Sequence, residues 1–188
     1  MPNAVSCTDP EAEAAVPSFE AATGTLLRQL VLAAGPLTVL QIGCPYASFT
    51  AGLAAAMSEN GHGRVICCEP EAVRAEAAAA AVEKAGLGRY ADVRVGRPER
   101  SLATVPGPVD LLLLGGPPES FLALLKLVEP RMLPGAVVVA LGVRDVPAPC
   151  AEFLAHVRFS GGGYVSLPLP FDGGGDGDGG VEMAVRAA

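Results

Sequence analysis

The sequence predicts an α/β domain built on a mostly parallel sheet, with helices on both faces and an antiparallel hairpin at the C-terminal end. Three observations carry this. The strand candidates in the middle of the chain are continuous apolar runs (LTVLQI, RVICC, DLLLL, GAVVVAL) rather than alternating ones, as expected of a sheet covered on both faces. Strand and helix patterns alternate five times, which implies right-handed crossovers and parallel neighbours. The last two strand patterns follow one another with no helix between them, so one of them runs antiparallel.

Taken in order, residues 1–17 carry little apolar pattern and hold Pro2, Pro10 and Pro17, which reads as a loose arm ahead of one domain over 18–188. A helix is expected over Ser18–Ala34, with Ser18 as its cap, Glu20 in its first turn and Leu26, Leu27, Leu30 and Val31 as its apolar stripe. Gly35-Pro36 ends it. A strand over Leu37–Ile42, a turn over Gly43–Ser48 and an apolar helix from Phe49 to Met57 follow, the helix closing near Gly61. Arg64–Cys68 is a second strand. The alanine-rich stretch Glu71–Ala85 has strong helix propensity and stops at Gly86. Strands are expected at Ala91–Val95, Asp110–Leu114 and Gly135–Leu141, with helices at Glu119–Val128 and Pro149–Val157. Tyr164–Leu169 and Val181–Arg186 complete seven strands.

Composition narrows the function. The 188 residues are 51% apolar and 18% charged, with a net charge of −7, which suits a packed domain rather than a disordered one. There is no cluster of Lys and Arg, so a nucleic-acid ligand is not expected. No apolar run approaches the ~18 residues of a membrane helix, and the start of the chain lacks the pattern of a secretory signal. The cysteines are Cys7, Cys44, Cys67, Cys68 and Cys150. They are odd in number and show no C-x-x-C spacing, so they read as buried free thiols in a reducing compartment, and a cytoplasmic location is expected. Cys44 sits in a loop but has neither His62 nor His156 near it in sequence, so a nucleophilic role is the weaker reading. The segment Asp172–Gly180 (DGGGDGDGG) offers Asp172, Asp176 and Asp178 as hard oxygen ligands. It does not follow the EF-hand spacing and is read as a solvated hairpin tip.

In an open parallel sheet, ligands bind outside the carboxyl ends of the strands, at the switch in strand order. Three loops there carry candidates. In Gln41-Ile42-Gly43-Cys44-Pro45-Tyr46-Ala47-Ser48, Gly43 lets the backbone approach a ligand, and Ala47 leaves room beside the next helix N-terminus. Glu69 ends the second strand, where a carboxylate can accept both hydroxyl hydrogens of a ribose; the alternative is an acidic residue that only caps the helix beginning at Glu71. Gly96-Arg97-Pro98 follows the third strand and could flank a flat base with its backbone and the Arg97 plane, or form a plain turn.

Together these residues resemble the class I S-adenosylmethionine-dependent methyltransferases, specifically the catechol-type and caffeoyl-CoA-type small-molecule O-methyltransferases. The likeness runs from about Ser18 to the C-terminus. Gly63–Leu87 (GRVICCEPEAVRAEAAAAAVEKAGL) lines up with that family's second strand and helix without a gap. Leu167-Pro168, Asp172-Gly173 and Val181–Arg186 follow its closing pattern, with extra glycine-rich residues inserted. The resemblance implies a Rossmann-like seven-stranded sheet and an S-adenosylmethionine site drawn from Gln41, Gly43, Cys44, Tyr46, Ala47, Ser48, Glu69, Pro70, Gly96, Arg97 and Gly115. Gly43 falls on the family's glycine beside the methionine moiety, and Glu69 on its ribose-binding acid. Gln41 stands where the family has a glutamate, Ala47 where it has a second glycine, and Arg97 where an aspartate is frequent.

The family's divalent ion is held by two aspartates and an asparagine. Those positions here are Gly115, Leu141 and Gly142, none with an oxygen-bearing side chain, and Pro118 stands for the family's lysine. No metal is therefore expected. The reading that follows is a metal-independent transferase of methyl groups to an oxygen of a small-molecule acceptor, with the catalytic base unassigned among Asp145, His156 and Glu119. A catalytically degenerate relative serving as a cofactor-binding or partner subunit is the alternative. A nicotinamide-dependent oxidoreductase lacks its G-x-G-x-x-G. The resemblance further implies a homodimer.

Overall fold

The computed structural model describes residues 19–143, 147–159, 161–169, 171 and 180–188. The expected N-terminal arm, the Asp172–Gly180 loop apart from Gly180, and Asp145 lie outside them. The chain forms α1 (Phe19–Ala34), β1 (Thr38–Ile42), α2 (Ala47–Asn60), β2 (Arg64–Glu69), α3 (Ala72–Lys84), β3 (Ala91–Val95), α4 (Pro98–Leu102), β4 (Leu111–Leu114), α5 (Phe121–Val128), β5 (Val137–Leu141), α6 (Pro147–Arg158), β6 (Tyr164–Leu169) and β7 (Val181–Arg186).

The seven strands form one sheet in the order β3-β2-β1-β4-β5-β7-β6. The first five are parallel, and β7 runs antiparallel to both β5 and β6. This is the Rossmann-like architecture with an antiparallel C-terminal hairpin that the apolar runs and the closing pair of strands predict. Strand order reverses between β1 and β4, and that reversal opens a crevice at the carboxyl ends of the strands.

Every residue of β1, β4 and β5 is buried, because alternate side chains enter two different cores. On one face Leu40, Leu112, Leu114, Val138 and Ala140 pack with Phe121 of α5 and Phe153 of α6, whose rings meet edge-on at 5.7 Å. On the other, Val39, Leu111, Leu113 and Val139 pack with Leu27 of α1 and Leu53 and Met57 of α2. Full burial of each of the larger side chains contributes about 2 kcal/mol. No helix among the described residues is long and apolar enough to cross a membrane.

Several boundaries differ from the sequence reading. Helix α2 begins at Ala47 rather than Phe49 and runs on to Asn60, so Ala47 and Ser48 belong to its first turn. The fourth strand starts at Leu111, and the Asp110 carboxylate just before it accepts the N–H groups of Leu37 and Thr38, each at 2.9 Å. The short helix α4 was not anticipated. Pro98 opens it at a first-turn position where its missing N–H costs nothing.

Candidate functional site

At the crest of the sheet the strand ladder continues into the loops. Gly43 N–H donates to the Cys68 carbonyl at 2.9 Å, Gly96 N–H to Glu69 at 3.0 Å, and Gly115 N–H to Ile42 at 2.9 Å. These bonds draw the exits of β1 to β4 around one cavity of about 710 Å³. Of the residues expected there, Gly43, Cys44, Glu69, Pro70, Arg97 and Gly115 line it. Pro45, Arg74, Glu99, Gly116, Pro117, Ser120 and Leu124 line it too, and sequence reading had assigned none of these. Two patterns could have pointed to some of them. The Gly-Gly-Pro-Pro run after β4 marks a bare backbone, and Arg74 lies one helical turn beyond Glu69-Pro70-Glu71.

Glu69 is 1% exposed yet ionised. Its Oε2 accepts the Cys44 N–H at 2.7 Å. Its Oε1 accepts the Glu71 N–H at 2.9 Å and Arg74 Nη2 at 3.0 Å. Burial pushes the carboxyl up, but Arg74 and the two backbone amides outweigh it and hold the group below the usual carboxylate range. The carboxylate thus ties the β1 loop to Glu71, the residue preceding α3, and it does not cap the helix, which has no side-chain cap bond.

Gly43 has φ +81°, and a Cβ there would lie 2.6 Å from the Gly116 nitrogen. Its lack of a side chain lets the β1 loop close on the β4 loop. Gly115 answers it from the other side: a Cβ there would meet Pro45 Cδ at 2.7 Å.

The remaining expected residues stand behind or beside the cavity. Gln41 is fully buried, its Nε2 donating to the Gly43 carbonyl at 3.3 Å and its Oε1 accepting Thr50 Oγ1 at 2.9 Å. It therefore supports the loop from beneath. The Tyr46 ring packs edge-on against Phe49 at 5.1 Å. Ala47 packs beside Cys44, Cys67 and Ala78, and Ser48 donates to Glu20. Gly96 lies outside that cavity's lining, in a neighbouring cavity of about 700 Å³ that Val95, Arg97, Glu99, Arg100 and Ser101 also line.

Cys44, Cys67, Cys68 and Cys150 are buried free thiols; Cys7 lies outside the described residues. Cys67 packs beside Cys44, and the interaction between the two thiols lowers the Cys44 pKa against the effect of burial and raises that of Cys67. Cys44 Sγ also contacts Thr50 Oγ1 at 3.5 Å and the Tyr46 carbonyl at 3.4 Å. It is 2% exposed, which does not favour a nucleophile.

Of the candidate bases, His156 sits near the end of α6 with Nε2 2.7 Å from Glu129 Oε1, the oxygen that also accepts Tyr164 Oη at 3.0 Å. That cluster lies at the end of the sheet where the parallel strands begin, away from the cavity. Glu119 is exposed in a 3-10 turn (Pro118–Ser120) and does not line it.

A divalent ion of the kind the family resemblance implies does not fit the donors in place. Gly115 and Gly142 offer no side chain, Leu141 is apolar and 6% exposed, and among the described residues no three His, Cys, Asp or Glu are grouped to hold a metal.

Comparison with known proteins bears on the fold and the family. Several solved structures share the fold. The O-methyltransferase TomG from Streptomyces achromogenes, solved in complex with SAM, superposes with TM-score 0.75 at 23% identity, over 89% of this chain and 81% of that one. Rv0187 from MTB, solved cofactor-bound, gives 0.78 at 25% identity, over 93% and 82%. An O-methyltransferase from Bacillus cereus, solved with SAH, gives 0.74 at 24% identity, over 94% and 87%. A search of curated proteins finds no match. The family described as "Methyltransferase domain" matches residues 40–140, which span β1 to β5 and carry every residue lining the cavity. This chain belongs to that methyltransferase-domain family.

Proposed function

We propose that the chain binds S-adenosylmethionine in the cavity at the β1–β4 crest and transfers its methyl group to an oxygen of a small-molecule acceptor without a divalent ion. The observation that carries the reading is Glu69, a buried and ionised carboxylate on the wall of a nucleoside-sized cavity, facing bare backbone at Gly43. S-adenosylmethionine supplies an already activated sulfonium methyl, so the protein's contribution is alignment and exclusion of water.

In this reading Glu69 receives one ribose hydroxyl rather than the two expected from the sequence, because Cys44, Glu71 and Arg74 already occupy three of its acceptor positions. Pro70, Arg97 and Pro98 form the wall against the adenine, and Gly43, Cys44 and Gly115 leave space for the methionine moiety. Pro45, Gly116, Pro117 and Leu124 give the far wall a largely apolar character that suits a flat organic acceptor. The absence of carboxylates at Gly115, Leu141 and Gly142, and the contact of Pro45 with Gly115, support transfer that does not depend on a metal.

The test is a thermal-shift titration with S-adenosylmethionine and S-adenosylhomocysteine, followed by radiolabelled methyl transfer to a panel of phenols and other hydroxyl acceptors, with and without EDTA. Both ligands are expected to raise Tm, and EDTA to leave methyl transfer unchanged. No shift with either ligand would reject cofactor binding. Binding without turnover on any acceptor would favour a degenerate partner subunit. Activity abolished by EDTA and restored by Mg²⁺ would reject metal independence.

A further inference from the structure

Arg74 stands at the wall of the cavity with no task in the reading above. The geometry of its partner suggests one. A carboxylate offers about four acceptor positions, two on each oxygen. Glu69 Oε1 uses both of its own, for the Glu71 N–H at 2.9 Å and for Arg74 Nη2 at 3.0 Å. Oε2 uses one, for the Cys44 N–H at 2.7 Å. A single acceptor position is left, on Oε2. Arg74 is anchored a second time through Nη1, 2.7 Å from Glu71 Oε2, three residues back on the same helix, although its side chain is 51% exposed.

Resting on the nucleoside-binding reading, we propose that Arg74 is a positioning residue for the ribose: it pins Glu69 Oε1 so that Oε2 alone meets an incoming hydroxyl hydrogen. Its charge serves the same end. The ionisable groups around the Glu69 carboxylate are Arg74 and Glu71 on α3, the Cys44 thiol on the β1 loop, and Arg97 and Glu99 lining the same cavity. Burial opposes the ionised carboxylate, and Arg74 is the foremost group that favours it. Without Arg74, burial is less opposed and the carboxyl takes up a proton at higher pH. A protonated carboxyl would lose acceptor capacity for the ribose.

The experiment is calorimetric titration of S-adenosylhomocysteine into wild type, Arg74→Ala and Arg74→Lys, from neutral to mildly acidic pH, with Tm recorded for each. Arg74→Ala is expected to weaken binding by about fivefold at neutral pH, modest because the guanidinium is half-exposed. The gap should widen as pH falls, and Arg74→Lys should recover most of the loss. If the alanine variant melts lower than wild type, Arg74→Met keeps the packing of the stem and carries the same expectation. Unchanged affinity and pH profile in these variants, or tighter binding, would overturn the proposal while leaving the nucleoside site intact. Failure of the wild type itself to bind would remove that reading and the proposal with it.

Discussion

Pro45 and Gly115 occupy each other's space: a Cβ added at position 115 would lie 2.7 Å from Pro45 Cδ and 3.1 Å from its Cγ. The two residues come from the loops after β1 and β4, on either side of the strand-order switch. Gly115→Ala is expected to destabilise the protein by roughly 1–3 kcal/mol through overpacking. In a Pro45→Ala background the same change should cost clearly less, because the colliding ring atoms are gone. Urea unfolding of the two single variants and the double variant measures this, and simple additivity would refute the contact.

Glu69→Ala should weaken S-adenosylhomocysteine binding by about 1.5–3 kcal/mol, the range for hydrogen bonds to a charged group. The variant also releases the Cys44 N–H, so slower or incomplete ordering of the β1 loop should accompany the loss. Calorimetry gives the affinity and amide exchange at Cys44 the loop. Unchanged affinity would take Glu69 out of the site.

Gly43→Ala introduces a side chain at φ +81°, with a Cβ 2.6 Å from the Gly116 nitrogen. The left-handed backbone alone costs about 1–2 kcal/mol in a residue with a Cβ, and the backbone contact adds to it. We expect a loss of about 2–4 kcal/mol in denaturant unfolding, together with loss of ligand-induced stabilisation.

Cys67→Ala removes the thiol packed beside Cys44. The principal cause lowering the Cys44 pKa disappears while burial, which raises it, remains. The Cys44 thiol is therefore expected to titrate at higher pH in the variant. The ultraviolet absorbance of the thiolate, followed across a pH series in a background lacking the other cysteines, checks the direction.

Stability should decline in acid through Glu129. Burial opposes its ionisation, yet its bonds with His156 and Tyr164 prevail and hold its carboxyl below the ordinary value. The sign follows from linkage. A carboxyl whose folded pKa is depressed contributes stability that is complete above the unfolded value of about 4.3 and is lost as pH falls from there through the folded one. Glu69 acts in the same sense. Glu129→Gln should flatten part of this acid limb in urea unfolding at several pH values, and an identical limb would refute the assignment.

The sheet was legible because its central strands are buried on both faces, so that LTVLQI and DLLLL announce themselves by apolarity alone. Glu69 and Gly43 were legible because each follows such a strand directly. What escaped depends on contacts between distant residues. Arg74 looks like any polar residue on an alanine-rich helix until its guanidinium is seen on Glu69. The Pro45–Gly115 contact joins residues seventy positions apart, and no local pattern encodes it. Gln41 was expected at the ligand because it stands where the resembling family has a glutamate, but strand alternation turns it inward to Thr50. Helix α4 is only five residues long, too short for periodicity to show.

The Cys44 N–H bond to Glu69 couples the first two crest loops through the protein's own groups. Under the proposed cofactor-binding reading, a wall braced in this way leaves little of the protein for a ligand to order, which favours a small ordering entropy. The same linkage makes the pocket vulnerable from a distance, since any change that loosens the packing of β1 on β2 would spoil recognition without touching a single contact residue.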